Sequence, residues 1–264
     1  MYDILTVTYN GESLENLVHF FESVSKSIDG NFNKMVLVLD GEMSVEKKSL
    51  IRRYAKKINI SLFEQPKNGL AVNLQYGLER CSAKYVARAD TDDVMILNRF
   101  GKQYELLQEN GVDLVSSGTL EVAPEFQRFR RFAPQIIQKS SAKMYFLNLV
   151  NHNCCMYSRK ALIKSGGYKP GRMEDFRAWI GLLNDDCKIL IDDSVLAQVS
   201  AINLHSRRIG MDYIRAEIKL FRINLLRFPP QSVLLALVAL LFRIPMRTKL
   251  LSPLLKLVHS WTRR

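Results

Sequence analysis

No run of twenty consecutive apolar residues occurs in this 264-residue chain, which argues against a conventional membrane-spanning helix. Met1 to Asn10 carry neither a basic n-region nor a small-residue cleavage pattern, so no secretory signal is expected. Cysteine is scarce. Cys81, Cys154, Cys155 and Cys187 form no CxxC pair and no paired framework, as in thiols kept reduced, and a cytoplasmic protein is expected. Neither a Ser-His-Asp nor a Cys-His pattern marks a covalent nucleophile. Low-complexity tracts are also missing. With 47% apolar and 24% charged residues, the chain is equipped to fold around a real core, and its length suits one large domain or a domain with a substantial appendage.

Acid is missing from one region in particular. From Ile218 to the end there are nine Lys or Arg and no Asp or Glu, so the first 217 residues hold only +3 of the net +12. Charge confined in this way, without a recognisable motif or interleaved aromatics, argues against nucleic-acid binding. The same tail holds ten consecutive apolar residues, Val233–Phe242, between Pro229-Pro230 and Arg243 with Pro245. Ten residues are too few to span a bilayer, but they suit a segment lying in the interface while its arginines meet anionic lipid. The plainer reading is a C-terminal helix packed on its own domain or on a partner subunit.

The first two-thirds alternate between strand and helix signals. Ile4–Thr8 reads as a strand ending at Tyr9-Asn10-Gly11, and Ser13 as the N-cap of a helix through Leu17, Phe20 and Phe21. Met35–Leu39 reads as a buried strand ending at Asp40-Gly41, followed by a basic helix over Val45 to Lys57 and a strand over Ile58 to Phe63. A helix is predicted from Leu70 to Arg80 and a strand over Tyr85–Arg88. Strands separated by helices imply βαβ units and a mostly parallel sheet covered on both faces. Polar residues at the strand ends then matter, because ligands bind at those carboxyl ends near a switch in strand order.

Three segments carry chemistry. The first is Asp90-Thr91-Asp92-Asp93, directly after a predicted strand. Its carboxylates repel one another unless a cation or hydrogen-bond donors sit among them. Hard oxygen ligands suit Mg²⁺ or Mn²⁺, which commonly bridge carboxylates to substrate phosphates; a solvated acidic turn is the plainer reading. The second is Gly166-Gly167-Tyr168, followed by Met173-Glu174-Asp175 and the periodic run Phe176, Trp179, Ile180, Leu183. Acids in a first helical turn are explained by capping and the helix dipole; alternatively, one is a general base facing a hydroxyl. The third spans Asn203 to Gly210, with His205, Arg207 and Arg208. Paired guanidinium groups match a pyrophosphate, or are ordinary loop charge.

Taken in order, TVTYNGE, LVLDGE, KNGLAVNLQYGL, YVARADTDD with Arg99-Phe100 and Gln103, NHNCCMYSRK, GGY with MEDFRAW, and HSRRIG resemble family-2 glycosyltransferases of the GT-A fold. Within them the amylovoran-biosynthesis (AmsE-like) subgroup is the most similar. The likeness covers residues 1–225. It implies a Rossmann-like, mixed and mostly parallel sheet flanked by helices, and an inverting transfer from a nucleotide sugar, usually a UDP-sugar. By the same resemblance, Thr8, Tyr9, Asn10 and Asp40 hold base and ribose, and Glu12, Asn68, Arg88 and Thr91 join the donor side. Asp90 and Asp92 match the DxD pair that approaches ribose and metal–diphosphate, with Mn²⁺ or Mg²⁺ as cofactor and His205 as a further ligand. Glu174 and Asp175 match the Glu-Asp element, whose Asp is the usual base. Asn151, His152 and Trp179 fall on the acceptor side. Arg207 and Arg208 would neutralise charge on the departing UDP. Val72 departs from the pattern, standing where relatives often carry Lys or Arg.

The expectation is therefore a GT-A domain over 1–225 and a basic, apolar helical extension over 226–264, peripheral on the inner face of the cell membrane. It moves a hexose, glucose or galactose, from a UDP-sugar to a polyprenyl-diphosphate-linked sugar in surface polysaccharide or O-antigen synthesis. No nucleic-acid partner is expected, and a homo-oligomer is compatible. The alternative is a catalytically silent GT-A domain serving as a membrane-associated assembly partner.

Overall fold

The computed structural model describes residues 1–141, 144, 147–202, 210–225 and 230–246. The early apolar runs become strands β1 (Tyr2–Tyr9), β2 (Phe32–Asp40), β3 (Ile60–Gln65) and β4 (Tyr85–Arg88). They alternate with α1 (Leu14–Ser27), α2 (Val45–Tyr54) and α3 (Leu70–Arg80). Side-chain caps start the first two helices. Ser13 Oγ accepts from the Asn16 N–H at 3.0 Å, and Ser44 Oγ accepts from the Lys47 N–H, each satisfying a donor the helix leaves unpaired. α3 instead begins after Gly69, at φ +82°, without a side-chain cap.

The chain continues through β5 (Val94–Met95), α4 (Arg99–Asn110), β6 (Leu114–Ala123), β7 (Phe126–Arg130) and β8 (Gln135–Ile137). After a short 3₁₀ turn at His152–Cys154 come β9 (Cys155–Ser158), α5 (Arg159–Lys164), α6 (Glu174–Asn184), β10 (Ile189–Ser200), α7 (Met211–Leu225) and α8 (Pro230–Met246). Ten strands form one sheet in the order β3-β2-β1-β4-β9-β6-β10-β5, with β7 on β6 and β8 on β10. β3, β2, β1, β4, β6 and β10 share a direction, and β9 runs against both its neighbours β4 and β6. The mixed, mostly parallel sheet expected from the sequence is the sheet observed.

Strand residues alternate between two buried layers. Ile4, Met35, Leu37 and Ala87 pack with α1, α2 and α4, whereas Leu5, Val36, Val38 and Val86 pack with α3, α5, α6 and α7. Both faces are dry, which is why these strands read as continuous apolar runs rather than alternating ones. α3 lies close to the sheet because Gly77 has no side chain: a Cβ there would collide with Leu5 and meet Val38 at 3.1 Å.

β1 lies between β2 and β4, so the chain builds outward through β3 and then returns to the other side of β1. That reversal opens a crevice beyond the carboxyl ends of β1 and β4. At the far end, α8 packs on α7. Arg243 pairs with the buried Glu217 of α7 at 3.3 Å and lies over the Phe176 ring. Leu234, Leu237, Leu241 and Phe242 nevertheless remain exposed. The helix thus packs on its own domain and still presents apolar side chains outward. Among the described residues, no helix is long and apolar enough to cross a membrane.

Candidate active site

The acidic turn follows directly from β4, and a buried cation fixes it. Arg88 is fully buried. Its guanidinium donates to the Leu5 carbonyl at 3.0 Å and to the Ala89 carbonyl, and pairs with Asp90 Oδ1. Arg99 in turn donates to the Arg88 carbonyl. Thr91 Oγ1 meets Thr8 Oγ1 at 3.2 Å, joining the turn to the end of β1. Asp93 points inward, 2% exposed, and accepts from Asn153 Nδ2 at 2.6 Å and from the Ser200 N–H at 3.2 Å. Burial, followed by the charges of Asp90 and Asp92, drives its pKa well above the usual carboxylate range. One carboxylate oxygen from each of Asp90, Asp92 and Asp93 lies within 4.8 Å of the others. Asp90 and Asp92 are half-buried and offer the hard donors a divalent cation requires, so the residues present fit such an ion.

On the β1–β2 side, Tyr9 is 50% exposed. Asn10 Oδ1 accepts from the Ser44 N–H at 3.0 Å, and Glu12 Oε1 accepts from the Ser13 N–H and Asn16 Nδ2 at the start of α1. Asp40 Oδ1 takes three donors: the N–H groups of Asn68 (2.8 Å) and Gly69 (3.1 Å), and Asn73 Nδ2 (2.7 Å). One oxygen of Asp40 therefore holds the β3–α3 loop.

The opposite wall is the start of α6. Met173 precedes it in the left-handed region, at φ 60°, a costly conformation for a residue with a side chain. Asp175 Oδ2 accepts from Asn148 Nδ2 at 3.1 Å. Glu174 is pushed up to about 7, chiefly by burial and then by the Asp175 charge. His152 lies within electrostatic reach of Arg88, Asp175 and Asp90; burial and then Arg88 lower its pKa. Its ring packs against Tyr168 and Trp179 at 5.7 and 5.8 Å.

Asp40, Asp90, Asp92, Glu174, Asp175 and His152 are thus carried to the strand-end side of the sheet. Several of the expected site residues are buried, Thr8 and Thr91 among them. Arg88 is fully buried and anchors Asp90. Trp179 is fully buried and meets the His152 ring edge-on. Asn151 is 2% exposed, and its amide donates to the Ser117 and Arg130 carbonyls, tying strands together. His205, Arg207 and Arg208 lie outside the described residues. Sequence reading passed over Asn73, Asn148 and Asn153, which hold Asp40, Asp175 and Asp93. Asn73 carried a signal, being a polar residue on the buried stripe of α3 with Leu74, Gly77 and Leu78.

Parallel strands ending at a switch-point crevice, an acidic turn on one side and helix-borne carboxylates on the other make the GT-A arrangement of glycosyltransferases. The family model described as Glycosyl transferase family 2 matches residues 3–166, and the chain belongs to that family. Over 230 residues it is 30% identical to the amylovoran biosynthesis glycosyltransferase AmsE of Erwinia amylovora, covering 85% of this chain and 86% of that protein. It is 25% identical over 228 residues to the UDP-Gal:alpha-D-GlcNAc-diphosphoundecaprenol beta-1,3-galactosyltransferase of Escherichia coli, covering 83% and 81%. Among solved structures, S. aureus TarS 1-349 superposes with a TM-score of 0.73 at 14% identity, over 91% of this chain and 70% of that one. The mannosyltransferase PcManGT from Pyrobaculum calidifontis, in complex with GDP-Man and Mn²⁺, gives 0.65 at 16% identity, over 98% and 79%.

Proposed function

We propose that this glycosyltransferase moves a hexose, glucose or galactose, from a UDP-sugar to the sugar of a polyprenyl-diphosphate acceptor, with inversion, during assembly of a bacterial surface polysaccharide. The observation that carries this reading is the grouping of Asp40, Asp90 and Asp92 with the Glu174-Asp175 pair around one crevice. The names of the relatives support its chemistry: UDP-Gal and a diphosphoundecaprenol acceptor for one, amylovoran biosynthesis for the other.

Asp175 is the base. Its Oδ2 is oriented by Asn148, and its carboxylate takes the proton of the acceptor hydroxyl as that oxygen attacks C1 of the sugar. The C1–O bond to the diphosphate breaks as the new bond forms, UDP leaves with the electron pair, and an α-linked donor gives a β-linked product. Beside the base, Glu174 is held partly protonated near neutral pH by burial and by the Asp175 charge. Asp90 and Asp92 would hold Mn²⁺ or Mg²⁺, which supplies positive charge to stabilise the leaving diphosphate. Asp40, with Tyr9 and Asn10 beside it, receives the nucleoside. His205, Arg207 and Arg208 retain the proposed roles of further ligand and diphosphate clamp. The exposed apolar residues of α8 rest on the cytoplasmic membrane surface.

The test is a UDP-sugar panel against GlcNAc- and GalNAc-diphospholipid acceptors, measuring UDP release and product linkage for wild type and Asp92→Ala. The expected result is transfer by the wild type that needs a divalent cation and falls at least about a hundredfold in the variant. Equal UDP release by the two proteins would remove the metal site from the centre of this reading, and no UDP release by either would leave the silent assembly partner in its place.

A further inference from the structure

A cavity of about 700 Å³ opens between Asn68-Gly69 of the loop held by Asp40, the first turn of α3, the Pro170–Arg172 loop, the start of α6 and one face of α7. Its volume falls within the range of about 300–1,000 Å³ found for small-molecule sites. Neither Asp90 nor Asp92 lines it, whereas Glu174 does. We propose that it seats the diphosphate of the lipid-linked acceptor, placing the acceptor sugar at the Glu174-Asp175 end. This inference rests on the transferase reading above.

The lining is cationic from two sides. Arg172 enters from the loop and lies over the Tyr213 ring, 5.4 Å from its centroid. Arg215 and Lys219 enter from α7. Arg215 pairs with Asp212 at 3.5 Å on an exposed i,i+3 step, a contact weak enough to yield to a phosphate. Arg177 acts at one remove. Its guanidinium donates to the carbonyls of Lys169, Pro170 and Gly171, which fixes the loop that presents Arg172. Burial keeps Glu174 from opposing an anion with a full negative charge near neutral pH. The uncapped start of α3 adds the positive end of a helix dipole to the same space. Guanidinium and ammonium groups converging in this way suit phosphate oxygens. The apolar part of the same ligand has a partner nearby, because the wall helix α7 is the one on which α8 packs.

The experiment is calorimetric titration of the full-length chain with geranyl diphosphate, a prenyl diphosphate with neither nucleotide nor sugar, and separately with UDP plus Mn²⁺. Replacing the exposed pair, Arg172→Ala with Lys219→Ala, is expected to weaken geranyl diphosphate at least about tenfold and leave UDP within about twofold, which also reports that the variant is folded. Asp92→Ala is expected to do the reverse. Equal weakening of both ligands by the double variant would assign the cavity to the donor diphosphate and overturn the proposal. Unchanged geranyl diphosphate affinity, or no binding by the wild type, would overturn it as well while leaving the transferase reading standing. A wild type that does not bind UDP with Mn²⁺ would remove that reading and this inference together.

Discussion

Replacing Glu174 with Gln should make the protein more stable at alkaline pH and change nothing at acid pH. Burial and the neighbouring Asp175 raise the Glu174 pKa from an ordinary 4.5 to about 7. The folded state therefore binds a proton that the unfolded chain releases between those two values. Stability must fall as pH rises through that window, and the loss is complete just above pH 7. A shift of this size corresponds to at most about 3 kcal/mol at full effect. Glutamine keeps the shape and carries no charge, so it escapes the loss. Urea unfolding at intervals between pH 4.5 and 8.5 measures the difference directly. The two proteins should coincide near pH 4.5 and diverge to about 2–3 kcal/mol by pH 8, equivalent to several degrees in Tm. A difference that stays constant across the range would refute the reasoning, since only a titrating Glu174 makes it depend on pH.

Asp175→Asn should lower kcat by about 10²–10⁴-fold while UDP affinity holds, and a parallel loss of UDP binding would show that Asp175 serves the donor instead. Asn73→Ala removes one donor to the Asp40 carboxylate and should cost about 1–2 kcal/mol, read from the urea midpoint; an unchanged midpoint would mean that the two N–H groups hold the loop alone. Changing Leu234, Leu241 and Phe242 together to Gln should abolish sedimentation with anionic liposomes and spare UDP binding. That triple change is cleaner than deleting α8, because Arg243 of that helix pairs with the buried Glu217. Sedimentation equal to wild type would locate membrane contact elsewhere.

The parallel half of the sheet was legible because its signals are local. Ser13 caps α1 as its sequence suggests, and α3 and β4 occupy the predicted Leu70–Arg80 and Tyr85–Arg88. Two strands extend beyond their apolar runs, β1 over Tyr2–Tyr9 and β2 over Phe32–Asp40, since hydrogen bonding continues past the apolar residues that announce a strand. The insertion of β9 between β4 and β6 was not legible, because pairing across such a separation leaves no periodicity to find. Of the candidate site, the carboxylates stood out by type and spacing. Their supports did not. Arg88 and Trp179 look like ligand contacts in a sequence, and only packing reveals them as buried. The asparagines that hold Asp40, Asp175 and Asp93 are common polar residues until their partners are in place.

The position of β9 has a consequence for how this protein is made. Synthesis delivers β1 to β4 first, and the parallel half is complete at Arg88, yet the strand that pairs with the open side of β4 is not finished until Ser158. β6 emerges earlier but has no place beside β4, because β9 separates them. A growing chain therefore carries β4 as a bare edge with a row of unpaired peptide groups, the kind of surface on which strands of other chains assemble. The parallel half, for all its regular order, is not a free-standing piece. A fragment ending at Asp93 should be prone to self-association, and the chain becomes safe from its own edge only when Cys155–Ser158 slides into the gap.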